Sequence, residues 1–338
     1  MRVGILYVAT GKYITFFEPF YYNAKKNLLK DCNVTFYVFT DADRVVLAEQ
    51  NDDIKIINIK ANDWPYATLM RYHYFRDIKD DLISNNDYLL FLNANTIVSG
   101  DCNFNDIFSD RDFVCAIHPY YFDVNDYNCL PFEKNEKSKA YLSKEDKEYH
   151  YFGGGFIGGK AKEVFAEFFD LIIDSVDDDL KNGVIAKWHD ESHLNKLLNT
   201  IDISRFNVLS PKYFYPVELF RTRRLSQFEP AKILILDKNI VAPKDYIRNV
   251  RDDYKFDIRY NDSLCMEIIP VYDQTINTID RFKIYKDDVW ASIRMRKGLI
   301  TNRKENEIEI IWDNGGLCKY CKNKNGYYEE KSFSVGMF

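Results

Sequence analysis

Short apolar runs alternate with amphipathic segments through the first half of the chain. Continuous apolar runs of about five residues are typical of strands buried on both faces, whereas apolar residues three or four apart indicate helices. Pro19 interrupts the first helical pattern and is a candidate for the true start of that helix. The alternation predicts an α/β fold. We predict strands over 3–8, 34–40, 54–59, 88–92 and 113–117, and helices over 14–30, 68–84, 160–178 and 190–199.

Two regions break this alternation. Residues 119–149 are rich in Asp, Asn, Lys and Glu, and their irregular pattern predicts a mobile surface segment. Beyond about residue 250 the helical period is lost, and short β-prone pieces follow at 282–285 and 308–312. We therefore predict an α/β domain over 1–249 and a β-rich extension over 250–338, whose role the sequence does not indicate.

Composition narrows the class of protein. The 338 residues are 46% hydrophobic and 16% aromatic, which excludes a disordered chain, and the net charge of -6 gives no basic field for nucleic acid. Seven scattered cysteines, an odd number, indicate reduced thiols rather than a disulfide framework. No window reaches the roughly 18 apolar residues of a membrane span, and the first residues lack a signal-peptide pattern, so we expect a cytoplasmic protein.

Three small clusters have ordinary and functional interpretations. Cys318 and Cys321 have the spacing of half a zinc site, but no second pair appears, so two free cysteines in a turn is the favoured interpretation. Basic clusters at 221–224 and 294–297 allow peripheral contact with an anionic membrane or glycan, whereas solvated surface is the default.

The buried run over 88–92 ends in Asn93 and Asn95, one residue apart. Nucleotides usually bind beyond the carboxyl ends of parallel strands. An Asp-x-Asp there would suggest a divalent metal that holds a nucleotide diphosphate, but amides bind hard cations weakly and carry no charge. The pattern indicates a sugar-nucleotide site that works without a metal. Taken alone, a simple turn is the favoured interpretation, because Asn is a common turn residue.

Five glycines lie within the seven residues from Gly153 to Gly159. Their spacing is neither the dinucleotide-binding pattern nor a phosphate-binding P-loop. Glycine permits unusual backbone conformations and close approach of a ligand to the main chain. Two interpretations stay open at this point: a glycine-rich turn before a helix, and a floor shaped around a sugar ring.

The segment 188–193 contains both acids and histidines. Asp190 and Glu191 can open a helix, because carboxylates favour its amino-terminal dipole. His189 and His193 are four residues apart and would share a helix face as potential zinc ligands. In the zinc protease pattern a glutamate directly follows the first histidine, and here Asp190 occupies that place, so zinc is the weaker interpretation.

Together these motifs resemble glycosyltransferase family 6, which includes the histo-blood-group A and B transferases, the α-1,3-galactosyltransferases and soluble bacterial relatives. The resemblance covers about residues 1–249 and rests on 93–95, 151–159, 188–196 and 208–211. Trp-His-Asp-Glu-Ser-His-Leu-Asn-Lys is highly specific for the family, and Asn-x-Asn resembles its bacterial, metal-independent branch. The resemblance implies a GT-A fold and retaining transfer of galactose or N-acetylgalactosamine from UDP.

The resemblance also implies roles for individual residues. Tyr13 would stack on uracil, Arg71 would approach the donor sugar with Asp190 as its partner, and Glu191 would be the catalytic glutamate beneath the anomeric carbon. Acceptor contacts are implied at His118, Glu133 and Trp188. The donor-binding residues are Val8, Thr10, Tyr13, Arg71, Asn93, Asn95, Gly153, Gly154, Gly155, Asp190, Lys238 and Arg248.

A mechanism follows from these roles. Retaining transfer passes through an oxocarbenium-like state, which Glu191 would stabilise or trap covalently. The departing UDP oxygen would help deprotonate the acceptor. We expect no metal or other cofactor, with a UDP-sugar as the donor substrate. Lys238 and Arg248, in a segment resembling the carboxyl-terminal flap of the family, are the candidates to balance the charge on UDP.

Substrate choice depends on a few positions. Gly153 and Gly155 align with the pair that separates N-acetylgalactosamine from galactose enzymes, and two glycines leave room for a 2-acetamido group, which predicts UDP-N-acetylgalactosamine. The family suggests a β-galactoside acceptor carrying α-1,2-linked fucose, but Pro131 and Pro216 depart from its pattern and leave another glycan open. The rivals are a UDP-galactose enzyme, a non-catalytic sugar-nucleotide-binding protein, and a zinc hydrolase built on His189 and His193.

Overall fold

The structure is a computed structural model that describes residues 1–145, 148–220 and 224–236, together with six strands between residues 282 and 335. The strands of the first part are β1 (Arg2–Val8), β2 (Asn33–Thr40), β3 (Ile54–Asn58), β4 (Tyr88–Leu92), β5 (Thr96–Val98), β6 (Phe113–Ile117), β7 (Phe152–Lys160), β8 (Phe206–Leu209), β9 (Tyr215–Pro216) and β10 (Ile233–Ile235). The α-helices are α1 (Phe17–Asn27), α2 (Tyr66–Leu69), α3 (Arg71–Asp77), α4 (Lys79–Asn85), α5 (Phe104–Ile107), α6 (Ala161–Val164), α7 (Asp170–Lys181) and α8 (Asp190–Leu198).

Seven of these strands form one sheet in the order β3-β2-β1-β4-β7-β6-β8. The pairs of β1 with β2 and β4, of β2 with β3, and of β6 with β8 are parallel. Strand β7 runs antiparallel between β4 and β6. A smaller sheet has the order β5-β10-β9. The predicted α/β fold with a mostly parallel, mixed sheet is confirmed.

The core lies on both faces of the seven-stranded sheet. Tyr88, Leu90 and Leu92 of β4 join a cluster that includes the apolar face of α1. Leu89 and Phe91 point the other way, into a cluster with side chains of α3, α7 and α8. Because both faces of β4 are covered, the strand carries no polar alternation.

The predicted helices are more broken than their patterns suggest. The segment 14–30 forms a 3₁₀ helix at Gly11–Phe16 and then α1, whose first turn contains Pro19. The segment 68–84 is divided among α2, α3 and α4, because Ile78 has the non-helical angles φ -121° and ψ 27° between the last two. A π-helical turn at Phe165–Phe169 joins α6 to α7.

The glycine run forms most of β7, so the expectation of a glycine-rich turn is wrong. Neighbouring strands leave no space for side chains here. A Cβ on Gly158 would lie 2.3 Å from the carbonyl oxygen of Leu89. A Cβ on Gly159, where φ is +152°, would lie 2.2 Å from the carbonyl oxygen of Asp112. Close backbone contact on both sides therefore requires these glycines.

Strand β7 also bulges away from β6. Cys115 pairs with Ile157 and Ile117 pairs with Phe152, so residues 153–156 stand opposite Ala116 alone. Extra residues in one strand leave backbone groups outside the ladder and are frequent next to active sites. This bulge makes the peptide groups of the first glycines available to side chains.

The described residues between β6 and β7 contain no helix or strand, as predicted, but they do not form merely a surface segment. Asp179 of α7 accepts hydrogen bonds from the Ser138 hydroxyl and, over 2.5 Å, from the Lys139 amide. These bonds tie the segment to the helical layer. Its core consists of Tyr127, Leu130, Phe132, Leu142, Tyr149 and Tyr151.

The carboxyl-terminal strands form a separate antiparallel sheet in sequence order, which confirms the predicted β-rich texture. Cys318 and Cys321 lie within one of these strands, so the predicted turn is wrong. The boundary predicted near residue 250 falls outside the described residues. The strands are β11 (Phe282–Ile284), β12 (Val289–Ser292), β13 (Lys297–Lys304), β14 (Glu307–Trp312), β15 (Gly316–Lys322) and β16 (Tyr328–Val335).

Within the described part of the chain, every helix is too short or too polar to cross a lipid bilayer.

Candidate active site

The paired asparagines lie at the carboxyl end of β4, directly beside the glycine strand. The Asn93 amide donates to the Gly155 carbonyl over 3.0 Å. The Thr96 amide donates back to the Asn93 carbonyl over 3.0 Å and closes a turn. The turn interpretation is therefore correct in its geometry, and the turn also puts both asparagines at the edge where the motifs meet.

Glu191 is held by two hydrogen-bond donors at the start of α8. The Tyr151 hydroxyl donates to Oε1 over 2.9 Å, and the Gly154 amide donates to Oε2 over 2.7 Å. A Cβ on Gly154 would lie 2.9 Å from the Cβ of Glu191. Glycine thus lets the carboxylate reach the backbone of the bulge.

Burial raises the pKa of Glu191 to about 7. The Gly154 and Tyr151 hydrogen bonds oppose this rise because they favour the ionised form, whereas the neighbouring Asp190 carboxylate adds to it. The carboxyl group is therefore poised between its two protonation states near neutral pH. Poised groups of this kind are common where proton transfer or charge stabilisation occurs.

Arg71 and Asp190 form a buried ion pair next to Glu191. Arg71 Nε lies 3.1 Å from Asp190 Oδ2, which pairs the two residues as the resemblance implied. Arg71 also donates through Nη1 to the Gly154 carbonyl over 3.0 Å. Burial raises the pKa of Asp190 to about 6, although Arg71 favours the ionised form. Gly154 thus binds the arginine through its carbonyl and the glutamate through its amide.

The opposite face of the glycine strand is apolar and closed. A Cβ on Gly153 would lie 2.3 Å from the ring of Phe214, and a Cβ on Gly155 would lie 3.1 Å from the same ring. Asn93 closes the remaining side of Gly155, at 3.0 Å from such a Cβ. In this structure the ring of Phe214 occupies the space beside Gly153 and Gly155.

Two of the expected acceptor residues lie around this centre. Trp188 precedes α8 and is 46% exposed, with its amide bound to the Ser192 hydroxyl over 2.9 Å. His118 packs against the rings of Tyr121 and Tyr151, with centroid distances of 5.1 and 5.6 Å. Burial lowers the pKa of His118 to about 4, so its imidazole is neutral at physiological pH.

Glu133 is placed differently from expectation. Its two oxygens accept from the Asn135 amide over 2.8 Å and the Lys187 amide over 2.6 Å. The residue is only 7% exposed. The bond from the Lys187 amide ties Glu133 to the loop that carries Trp188.

The remaining donor residues are distributed along the same sheet edge. Leu6 pairs with Phe91, which puts Val8 level with Asn93. Thr10 follows the strand, and its carbonyl accepts from the Tyr13 amide over 3.1 Å. Lys238 and Arg248 lie outside the described residues.

The two histidines considered as zinc ligands do not share a helix face. His189 precedes α8 with φ 53°, and its ring contacts that of Trp64. His193 is buried, and its Nδ1 lies 2.7 Å from the Ser175 hydroxyl. Among the residues that the structure describes, no group of three or more His, Cys, Asp or Glu side chains is arranged to hold a metal ion.

Sequence reasoning missed two residues of this site. Tyr151 lies in the motif, but nothing local indicates that its hydroxyl binds Glu191. Phe214 follows a 3₁₀ helix far along the chain, and its contact with the glycine strand depends on tertiary packing. A polar aromatic residue two positions before the first glycine is the one available signal.

Comparison with known proteins agrees with this geometry. The sequence model of glycosyltransferase family 6 matches residues 1–242, which contain every site residue within the described part of the chain. The O-antigen biosynthesis glycosyltransferase WbnI of Escherichia coli is 32% identical over 239 residues, 70% of this chain and 95% of that protein. Globoside alpha-1,3-N-acetylgalactosaminyltransferase 1 of Gallus gallus is 29% identical over 234 residues, 66% of each chain. Histo-blood group ABO system transferase 1 of Rattus norvegicus is 28% identical over 229 residues, 64% of this chain and 62% of that protein. The chain is therefore a glycosyltransferase of GT-A-like fold and belongs to glycosyltransferase family 6.

Proposed function

We propose that this enzyme transfers N-acetylgalactosamine from UDP-N-acetylgalactosamine through an α-1,3 linkage to a β-galactoside, with retention of anomeric configuration and without a divalent metal. The observation that carries the proposal is the buried Glu191 carboxylate, held by Tyr151 and Gly154. A retaining transfer requires an electron-rich group beside the anomeric carbon. A fixed, desolvated carboxylate supplies that charge without reorganisation during the reaction.

The chemical step then balances within the site. The bond between the anomeric carbon and the UDP oxygen breaks, and the electron pair leaves with UDP. Ionised Glu191 either stabilises the resulting cation or forms a bond to it. The acceptor oxygen forms the new bond from the side that UDP has left, and any bond between Glu191 and the anomeric carbon then breaks and returns its electron pair to the carboxylate. The acceptor proton passes to the departing phosphate oxygen. Arg71, already bound to Asp190 and the Gly154 carbonyl, keeps this part of the site rigid.

Metal independence is supported by the amides at Asn93 and Asn95, which are poor ligands for a hard cation. The negative charge on UDP then needs cations from the protein, and Lys238 with Arg248 are the proposed source. Replacing both by alanine is expected to slow turnover roughly a hundredfold, as for other charge-stabilising groups. An unchanged rate would contradict this role.

The donor sugar has two candidates. The globoside relatives from Gallus gallus and Homo sapiens are named alpha-1,3-N-acetylgalactosaminyltransferases, which supports UDP-N-acetylgalactosamine. UDP-galactose is the second candidate, and the ring of Phe214 favours it by filling the space next to Gly153 and Gly155. Use of the larger sugar requires that this ring turn aside.

A single assay separates these possibilities. UDP release is measured with each donor, a β-galactoside acceptor with or without α-1,2-linked fucose, and excess EDTA. We expect turnover of UDP-N-acetylgalactosamine by the wild type and a loss of roughly a hundred to a thousandfold in Glu191→Gln. Equal or faster turnover of UDP-galactose would favour the second candidate. Abolition of turnover by EDTA would contradict metal independence.

A further inference from the structure

Asn95 forms a two-point clasp with Leu236. Its side-chain Nδ2 donates to the Leu236 carbonyl over 2.5 Å, and its backbone carbonyl accepts from the Leu236 amide over 2.8 Å. Both residues are buried, at 4% and 3% exposure. Leu236 directly follows β10, which pairs antiparallel with β5 just after Asn95. The clasp therefore joins the end of β10 to the turn that follows β4.

The clasp requires a hydrogen-bond donor in the side chain at position 95. A carboxamide offers both a donor and an acceptor, whereas an ionised carboxylate only accepts. An ionised aspartate here would point one of its oxygens at the Leu236 carbonyl, and two buried acceptors would face each other. Such an arrangement loses a hydrogen bond and adds repulsion. The amide at this position thus has a structural reason independent of metal binding.

The other atom of the same amide is unused. With Nδ2 bound to Leu236, the buried Oδ1 of Asn95 accepts no hydrogen bond from any residue in the described part of the chain. A buried acceptor without a partner is costly unless a ligand satisfies it.

We propose that Asn95 is a positioning residue, whose amide nitrogen holds the Leu236 end of β10 against the turn that follows β4. Lys238 follows two residues after Leu236 in the sequence. The clasp fixes the point from which the chain continues to that proposed cation. The inference rests on the proposed function, but its structural half is testable without turnover.

The test compares wild type with Asn95→Asp, which has nearly the same shape. At about pH 8 we expect kcat/KM of the variant to fall at least roughly tenfold, with no recovery in Mn²⁺ or Mg²⁺. Burial raises the pKa of the new carboxyl, and its protonated form can again donate to the Leu236 carbonyl. The ratio of variant to wild-type rate should therefore rise as the pH falls. Taking the ratio removes the titration of Glu191.

If position 95 were a metal site, an aspartate there would bind the cation, and Mn²⁺ would restore the activity of Asn95→Asp. Recovery of Asn95→Asp in Mn²⁺ at the higher pH, or a rate ratio near one at every pH, would overturn the proposal. Hydrogen exchange gives the readout that does not need turnover. The Leu236 and β10 amides should exchange roughly tenfold faster in the variant.

Thr96→Val is the matched control. Thr96 is buried in β5 and pairs with Ile235, and its hydroxyl has no partner among the described residues, so the change leaves the clasp intact. In Thr96→Val, hydrogen exchange of the Leu236 and β10 amides and the rate of turnover should stay at the wild-type level. If these amides exchange faster in Thr96→Val as well, then any change in β5 weakens its pairing with β10, which would contradict a specific role of the clasp. If wild type transfers no sugar, the proposed function fails, while the exchange comparison still decides the clasp.

Discussion

The two faces of strand β7 meet different chemistry at consecutive glycines. On one face, Gly154 contacts the carboxylate of Glu191 and the guanidinium of Arg71 through its own backbone groups. On the other face, the ring of Phe214 covers Gly153 and Gly155. The first face is charged and hydrogen-bonded, and the second is apolar and closed.

This difference shows that a glycine run can serve two purposes at once. On the polar face, the missing side chain lets a carboxylate reach a backbone amide that the bulge has released from the sheet. On the apolar face, the missing side chains make room for a ring. We infer that the polar face supports charge development in the transition state and that the apolar face limits the shape of the donor sugar.

The largest expected effect of a glycine substitution comes from Gly154→Ala. The new methyl group would lie 2.9 Å from the Cβ of Glu191 and 3.0 Å from its Oε2, so the carboxylate must leave its position. We expect kcat to fall roughly a hundredfold while the fold persists. Steady-state kinetics and circular dichroism provide the check.

Gly100→Ala is the control, because its Cβ would meet Lys232 at an ordinary 3.4 Å. It should leave kcat within about twofold of wild type. A Gly154→Ala enzyme as active as this control would show that the contact with Glu191 is dispensable.

A smaller effect is expected from Tyr151→Phe on the same face. Loss of the hydroxyl removes a donor that favours ionised Glu191, so the pKa of Glu191 should rise further. We expect kcat near neutral pH to fall about tenfold. The acid limb of the pH–rate profile should move to higher pH. Tyr121→Phe is the control, because it removes the hydroxyl of a ring that packs against Tyr151. It should change neither kcat nor the position of the acid limb.

The smallest effect on turnover is expected on the apolar face. Gly153→Ala forces the ring of Phe214 to shift and should lower the free energy of unfolding by about 1–3 kcal/mol. Phe214→Ala removes the obstacle. The loss in the free energy of unfolding of the double variant should therefore be about 1–2 kcal/mol smaller than the sum of the losses in the two single variants. Chemical denaturation measures this coupling. Additive changes would mean that the two sites do not touch in solution.

The donor ratio gives a second test of the apolar face. If Phe214 limits the space for a 2-acetamido group, Phe214→Ala should raise the turnover of UDP-N-acetylgalactosamine relative to UDP-galactose by about threefold to tenfold. An unchanged ratio would remove Phe214 from donor selection.

The sequence predicted the parts of this molecule that depend on local pattern. The strand over 88–92 was predicted with its observed bounds, because a run apolar at every position suits a strand covered on both faces. The pairing of Arg71 with Asp190 came from the family resemblance. The glycine strand was not predicted, since glycine favours turns locally and only the approach of β4 and β6 makes it a strand.

Side-chain partners brought together by packing were also beyond the sequence. The family resemblance implies an acceptor contact at Glu133 but gives no sign that the Lys187 amide donates to it. Phe214 and Gly153 are distant along the chain, and no periodic pattern connects them. The amide of Asn95 was interpreted as a lost metal ligand, whereas its bond to Leu236 gives it a positive role.

The most direct test of the central claim is the pH dependence of kcat/KM in the presence of EDTA. Burial raises the pKa of Glu191 to about 7, so the ionised form that stabilises the cation is lost as the pH falls through that value. We predict that kcat/KM rises up to about tenfold per pH unit below about pH 7 and levels off above about pH 8. A profile that is flat between about pH 5 and about pH 8, or that falls as the pH rises, would contradict a catalytic role for ionised Glu191.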